Sequence, residues 1–319
     1  MYIHKQVSLK TTRGDKSGRG AEYSALEVFD GKLLTMDDRT GNVDEIIVSP
    51  EGSAEPYCVQ PLMNGDGAPV ALYLGDGTKS KGLKCEWATQ KNGRLVVGST
   101  GKPRTDDDAV VEHHGEMWIK TIDPATYKVT NLEGVAAYNS LCAAAKVPGA
   151  PQIGGLSKGF MVHESGRWSD VHSHWFFAPR KLSRETYDTV SEAYKCINLM
   201  ICAPGELPMG PPALKAEQAF GSTCLLQPYL GMLPMRGCSD FMFVPGTNDC
   251  HLFLLRTEES HDGIINTFAS VIDLEGKVLM AEHKLTADRK FEGCTWLGGW
   301  GGFEGAGAAP SASGDCVIS

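Results

Sequence analysis

Five polar residues, Ser24, Glu86, Glu164, Ser239 and Glu292, stand at matching places in five segments of the chain, 53 to 78 residues apart. Each opens a short apolar run, and together they offer two hydroxyls and three carboxylates. An oxygen-only set of this kind suits a hard cation. Calcium accepts 6–8 oxygen ligands in loose geometry, whereas magnesium demands a tight octahedron. No His or Cys occupies these positions, which argues against zinc or copper. Taken singly, each Glu reads as a solvated charge at a strand edge. Their agreement across segments is what points to one shared site.

The elements that must position them share one shape: apolar run, turn, second run. The first unit is Glu22 to Phe29, a turn at Asp30-Gly31, then Lys32 to Met36. The second is Lys84 to Ala88, a turn at Asn92-Gly93, then Arg94 to Gly98. The third runs from His163-Glu164-Ser165 through Trp168 to Trp175–Lys181, and the fourth from Cys238 to Val244, a turn near Asn248, then Leu252 to Arg256. A fifth starts at Phe291-Glu292-Gly293 and enters the C-terminal tail. Asp-Gly and Asn-Gly between apolar runs mark tight hairpins, because both residues tolerate positive φ. Ile272 to Leu279 predicts a further hairpin around Glu275-Gly276. Five such units predict an all-β, five-bladed β-propeller, whose innermost strands line a central channel. On that fold the five marked residues converge on the axis. Helix is expected only in short inserts, such as Tyr138–Lys146 and Ser183–Lys195.

Composition narrows the class. The net charge of −9 argues against non-specific nucleic-acid binding, which needs Lys and Arg to neutralise phosphates. No apolar run approaches the ~20 residues of a membrane-spanning helix, and the first 20 residues contain no signal-peptide apolar core. Ten cysteines form no CxxC pair and read mostly as buried small hydrophobes. Residues 1–296 are expected to form the propeller, and 297–319, rich in Gly, Ala and Ser, a flexible tail. The tail ends Cys316-Val317-Ile318-Ser319, a C-a-a-X pattern whose terminal Ser fits a farnesyl group. The absence of an upstream polybasic cluster favours chance.

Several stretches together carry a resemblance. They are Gly18-Arg19-Gly20-Ala21-Glu22-Tyr23-Ser24, Asp37-Asp38-Arg39-Thr40-Gly41, Gly75-Asp76-Gly77-Thr78 and Lys81 to Trp87. The series continues with the block His163 to Arg180, Ser239 to Pro245, and Phe291-Glu292-Gly293. In this order they resemble the soluble calcium-activated nucleotidase (apyrase) family. The resemblance implies a five-bladed propeller that hydrolyses nucleoside di- and triphosphates, favouring UDP and GDP, with Ca2+ held at Ser24, Glu86, Glu164, Ser239 and Glu292. Asp38, Asp76 and Asp170 are then candidates for the carboxylate that orients the attacking water. Arg39, Lys84 and Arg180 are candidates for phosphate contacts, with a plain ion pair as the alternative for each. Trp87 and Trp168 read as blade packing rather than base-stacking platforms. The family works in the endoplasmic reticulum, the Golgi lumen or outside the cell, whereas prenylation of Cys316 implies a cytoplasmic form. Residues 1–10 do not supply the family's upstream Asp-Leu-Asp motif. This leaves an alternative function, a catalytically impaired propeller that binds calcium or a protein partner, and an unpaired strand edge open to homodimer formation.

Overall fold

A computed structural model describes residues 9, 11, 13, 18, 20–48, 57–205, 224–226, 233–260, 263–287, 289–298 and 316–318. The chain is nearly all β. Its first sheet contains β1 (Tyr23–Phe29), β2 (Lys32–Asp37), β3 (Val43–Val48) and β4 (Tyr57–Pro61), in that spatial order and antiparallel throughout. The second contains β5 (Trp87–Lys91) and β6 (Arg94–Gly98), then, after a small hairpin of β7 (Arg104–Thr105) and β8 (Val111–His113), β9 (Trp118–Ile122) and β10 (Val129–Glu133). Helix α1 (Val135–Ala144) leads into the third sheet, β11 (Phe160–Ser169), β12 (His174–Ser183), β13 (Met200–Pro204) and β14 (Cys224–Leu226). The fourth is β15 (Arg236–Phe243), β16 (His251–Glu259), β17 (Ile265–Asp273) and β18 (Val278–Ala287). Last, β19 (Cys294–Trp296) pairs antiparallel with β20 (Cys316–Ile318).

Four four-stranded sheets in a propeller-like arrangement therefore replace the expected five equal units among the described residues, with β19–β20 as a two-stranded remainder. The first strands are neighbours in a circuit: β1 meets β5, β5 meets β11, β11 meets β15, β15 meets β19, and β19 meets β1. Apolar clusters fill the seams between sheets. Met36, Leu72, Leu83, Val97 and Ile122 join the first two sheets, and Trp87, Trp175, Phe177 and Tyr138 the second and third. Phe176, Ala178, Phe241 and Leu254 join the third and fourth. Met242, Phe253 and Leu255 gather around Cys294, and Leu26, Leu33 and Ile46 around Leu297. A strand packed on both faces needs no polar alternate positions, so β2, β12 and β16 read as continuous apolar runs.

The hairpin expectations hold. Asp30-Gly31 and Asn92-Gly93 both have positive φ at the two turn positions (51° and 71° in each). Asn248 and Asp249 turn β15 into β16 with φ of 52° and 54°, and Asp273 to Val278 closes β17 onto β18. The helix expectations need correction. The first helix spans Val135–Ala144 and stops where Lys146 takes φ 55°. The second is a single 3-10 turn, Ser191–Tyr194, because Ser183 is drawn into β12 by pairing with Phe160. Among the described cysteines, Cys85, Cys142, Cys196, Cys202, Cys238 and Cys294 are buried free thiols, as expected of small core residues, while Cys250 is exposed. Most of residues 297–319 lies outside the described residues. Cys316–Ile318, the C-a-a-X segment expected to be flexible, is strand-paired with Cys294–Trp296.

One glycine governs the loop that carries Asp38 and Arg39. Gly41 has φ +69°, and a Cβ placed there would lie 2.0 Å from the Leu72 carbonyl oxygen. Its own carbonyl accepts from Leu72 N at 2.7 Å. Both chain segments are backbone, so neither yields cheaply. Gly41→Ala should destabilise the chain by about 3 kcal/mol or more, read as a lowered denaturant midpoint. A midpoint equal to wild type would mean the Gly41–Leu72 approach is wrong.

Candidate active site at the strand entrances

Three of the five marked residues sit in β-bulges of the innermost strands. The β1–β2 register slips between Tyr23 and Ala25, at Ser24. The β11–β12 register slips between His163 and Gly166, around Glu164. The β15–β16 register slips between Cys238 and Asp240, at Ser239. A bulge leaves one residue out of the ladder and re-aims its side chain: Ser24 is the second residue of β1, Glu164 the fifth of β11 and Ser239 the fourth of β15. Glu86 and Glu292 precede β5 and β19.

The structure brings four of the five together. Ser24 Oγ donates to Glu292 Oε2 at 3.0 Å. The Glu86, Glu164 and Glu292 carboxylates lie near enough for the other two to raise the proton affinity of Glu86. Burial is the larger cause of that rise, and Lys84 opposes it. Glu164 moves the other way. Burial alone would raise it, but Arg180, Lys290 and Lys84 together hold its carboxyl below the usual range. The Ser239 hydroxyl instead contacts Thr257 Oγ1 at 2.5 Å and donates toward the Phe291 carbonyl at 3.2 Å.

Cations are threaded between the acids. Lys84 Nζ pairs with Glu86 and, at 2.9 Å, with Asp38 Oδ2. Lys290 Nζ pairs with Glu292 and lies 3.5 Å from Glu259. Arg180 pairs with Glu164 and, at 2.5 Å, with Glu259. Gly237 makes room for that arginine, since a Cβ there would lie 2.4 Å from Arg180 Cγ. Arg180 is 1% exposed, and both of its ion pairs are with carboxylates. Lys290 and Glu259 escaped sequence reasoning, because neither occupies a repeat-aligned position.

The other expected residues separate. Asp38 sits at the mouth of the cluster, and its Oδ1 is buried without a hydrogen-bond partner. The neighbouring Asp37 holds this loop: its Oδ1 accepts from Arg39 N, Thr40 N and Thr40 Oγ1 at 3.0, 2.7 and 2.8 Å, and its Oδ2 from Glu22 N at 2.7 Å. Arg39 lies 3.9 Å from Glu22 and is exposed. Asp76 is exposed in the β4–β5 loop. Its Oδ1 accepts from Thr78 Oγ1 and Thr78 N, which lower its carboxyl. Asp170 follows the far end of β11, six residues past Glu164 and about 20 Å along the strand, where it accepts from Trp168 Nε1 at 2.6 Å. Trp87 is core, 1% exposed. Trp168 stacks under Lys91 Nζ, 3.0 Å from the ring centroid. Both therefore pack as expected.

Among the described residues, no three His, Cys, Asp or Glu side chains already surround one point as a metal cage. The carboxylates turn toward Lys84, Arg180 and Lys290 instead. The donor set nonetheless fits a divalent cation. Five carboxylates (Asp38, Glu86, Glu164, Glu259, Glu292) face three cations (Lys84, Arg180, Lys290), an excess of two negative charges once Glu86, pushed up to about 8 chiefly by burial, has lost its proton. One dication matches that excess, and all the donors are oxygens.

A sequence profile of the family described as Apyrase matches residues 2–297. The chain belongs to the apyrase family. It is 35% identical over 293 residues to "Apyrase" of Cimex lectularius, covering 92% of this chain and 69% of that protein. It is 34% identical over 284 residues to "Soluble calcium-activated nucleotidase 1" of Mus musculus, covering 88% of this chain. It spans 60% of the length of that mouse relative. "Apyrase apy-1" of Caenorhabditis elegans is 30% identical over 277 residues, covering 86% of this chain and 67% of the relative. Among the described residues, this apyrase-family chain has no helix long and apolar enough to cross a membrane.

Proposed function

We propose that this chain is a calcium-dependent nucleotidase that removes the terminal phosphate of nucleoside di- and triphosphates, with UDP and GDP the favoured substrates. The observation that carries the reading is the gathering of Ser24, Glu86, Glu164 and Glu292 from neighbouring first strands, with acids outnumbering the cations threaded between them. In this reading Ser24, Glu86, Glu164, Ser239 and Glu292 hold the calcium. Bound there, calcium supplies a dication that offsets the charge of the terminal phosphate oxygens. The β19–β20 pair serves as the fifth blade, which agrees with the circuit of first strands. The compartment that suits such an activity is the endoplasmic reticulum or Golgi lumen, or the cell exterior.

The remaining steps belong to the chain's own groups. Asp38, with a buried oxygen free of partners, orients the attacking water and takes its proton. Attack on the terminal phosphorus forms one P–O bond and breaks the anhydride P–O bond, and the shortened nucleotide leaves with the bridging oxygen. Lys84, already beside Asp38 and Glu86, meets the phosphate at the mouth, and exposed Arg39 reaches the next one. Arg180 keeps Glu164 ionised and aimed. Asp76 and Asp170 have no part in the step, because each is engaged locally and away from the acids.

Phosphate release from UDP, GDP and ATP, assayed with calcium, with magnesium and with a chelator, tests this. Release with calcium and none with chelator is expected. Absence of calcium-dependent release from all three nucleotides would leave a binding propeller without turnover.

A further inference from the structure

Below the acidic cluster lies a second polar layer that no step above uses. Arg167 is on β11, three residues past Glu164, and is 7% exposed. Its Nε donates to the Phe241 carbonyl at 2.8 Å, and its Nη2 to Asp240 Oδ2 at 2.8 Å and to the Cys294 carbonyl at 3.0 Å. Its Nη1 pairs with Glu27 on β1. Gln90 on β5 completes the layer, donating to Glu27 Oε1 at 3.0 Å and to the Val28 carbonyl at 2.7 Å. Asp240 in turn accepts from Phe241 N at 2.8 Å and Cys294 N at 2.9 Å. One hydrogen-bonded network thus touches all five first strands: β1, β5, β11, β15 and β19.

Its contacts follow the marked residues closely in sequence. Glu27 is three residues past Ser24, Phe241 two past Ser239, Cys294 two past Glu292, and Gln90 four past Glu86. At about 3.3 Å per residue this sets the layer some 7–13 Å deeper along the strands. A bulge holds its residue only if the ladder on its far side is pinned in register. Arg167 pins the Phe241 and Cys294 carbonyls beyond the Ser239 bulge and the Glu292 turn, and Asp240 accepts from the N–H groups of the same two residues.

We propose that Arg167 is a positioning residue for the cation site, a guanidinium clamp that sets the spacing of the strands that carry Ser24, Glu164 and Ser239 and of the strand that follows Glu292. The proposal rests on the calcium-site reading above and deepens it. A planar guanidinium with five fixed donors can hold two carboxylates and two carbonyls at once. A lysine ammonium keeps the charge but has only three donors on a flexible stem.

The test measures calcium affinity by isothermal titration calorimetry and melting temperature by calorimetric scanning, on the full chain. The variants are Arg167→Met and Arg167→Lys. Arg256→Met serves as control. Arg256 is another buried arginine, on β16 of the fourth sheet, paired with Glu282 at 2.9 Å and donating to the Arg236 carbonyl at 3.1 Å, outside both polar layers. Groups that orient metal ligands from behind typically account for about 10–100-fold in affinity. Arg167→Met should weaken calcium binding by that order, Arg167→Lys by less, and Arg256→Met should lower the melting temperature without changing calcium affinity. Wild-type calcium affinity in Arg167→Met, with a lowered melting temperature, would reduce Arg167 to a purely structural role and overturn the proposal. If Arg167→Met does not fold, Arg167→Lys decides alone: weakened binding supports the clamp and unchanged binding overturns it. Failure of the wild type itself to bind calcium would overturn the calcium-site reading, and the clamp with it.

Discussion

Glu164→Gln should lower calcium-dependent phosphate release by about 10²–10³-fold, the usual scale for removing one preorganised electrostatic group from an active site. The change keeps the shape of the side chain and removes one charge. Glu164 is held ionised because Arg180, Lys290 and Lys84 outweigh its burial. A neutral amide loses the charged pairing with Arg180 and leaves the cluster one negative charge short of matching a dication. The amide nitrogen would also bring a donor where the site needs acceptors. Rates should therefore fall while the fold persists, and raising the calcium concentration should recover part of the loss. A variant with wild-type rate at low calcium would remove Glu164 from the site.

Arg180→Met should be the most destabilising single substitution in this cluster. Removing one partner of a buried ion pair strands the other and costs about 3–5 kcal/mol. Here Glu164 would lose its direct ion pair and keep only the field of Lys290 and Lys84, and Glu259 would keep only Lys290, 3.5 Å away. Denaturant unfolding should show that loss, and the surviving folded protein should hydrolyse nucleotides poorly because Glu164 is no longer aimed. Arg180→Lys should fold better than Arg180→Met, since a charge remains, but one ammonium cannot reproduce both pairings. Equal stability of wild type and Arg180→Met would mean that Arg180 faces solvent or substrate.

Turn chemistry and run length made much of the fold legible from sequence. Asp30-Gly31 and Asn92-Gly93 announce hairpins because the φ values they adopt are open to few other pairs. Ser24, Glu86, Glu164, Ser239 and Glu292 could be picked out because they open similar units, and the structure gathers four of them. That Ser24, Glu164 and Ser239 sit in bulges was not legible, because a bulge is a property of pairing register and appears in neither strand alone. Arg167, Glu27 and Asp240 were missed for a related reason. Their partners are 73 to 140 residues apart, and each by itself reads as an ordinary polar residue in a strand. Ser183–Lys195 was expected as helix because local propensity ignores the pull of Phe160 on Ser183. The pairing of Arg180 with Glu259 was not legible either, because the two residues lie 79 positions apart.

The central claim is that the entrances of the innermost strands form one calcium site. Isothermal titration of calcium into the metal-free chain, repeated on Glu86→Gln, Glu164→Gln and Glu292→Gln, tests it most directly. The account predicts one calcium per wild-type chain and weakened binding in each of the three variants. Wild-type affinity in all three would contradict it.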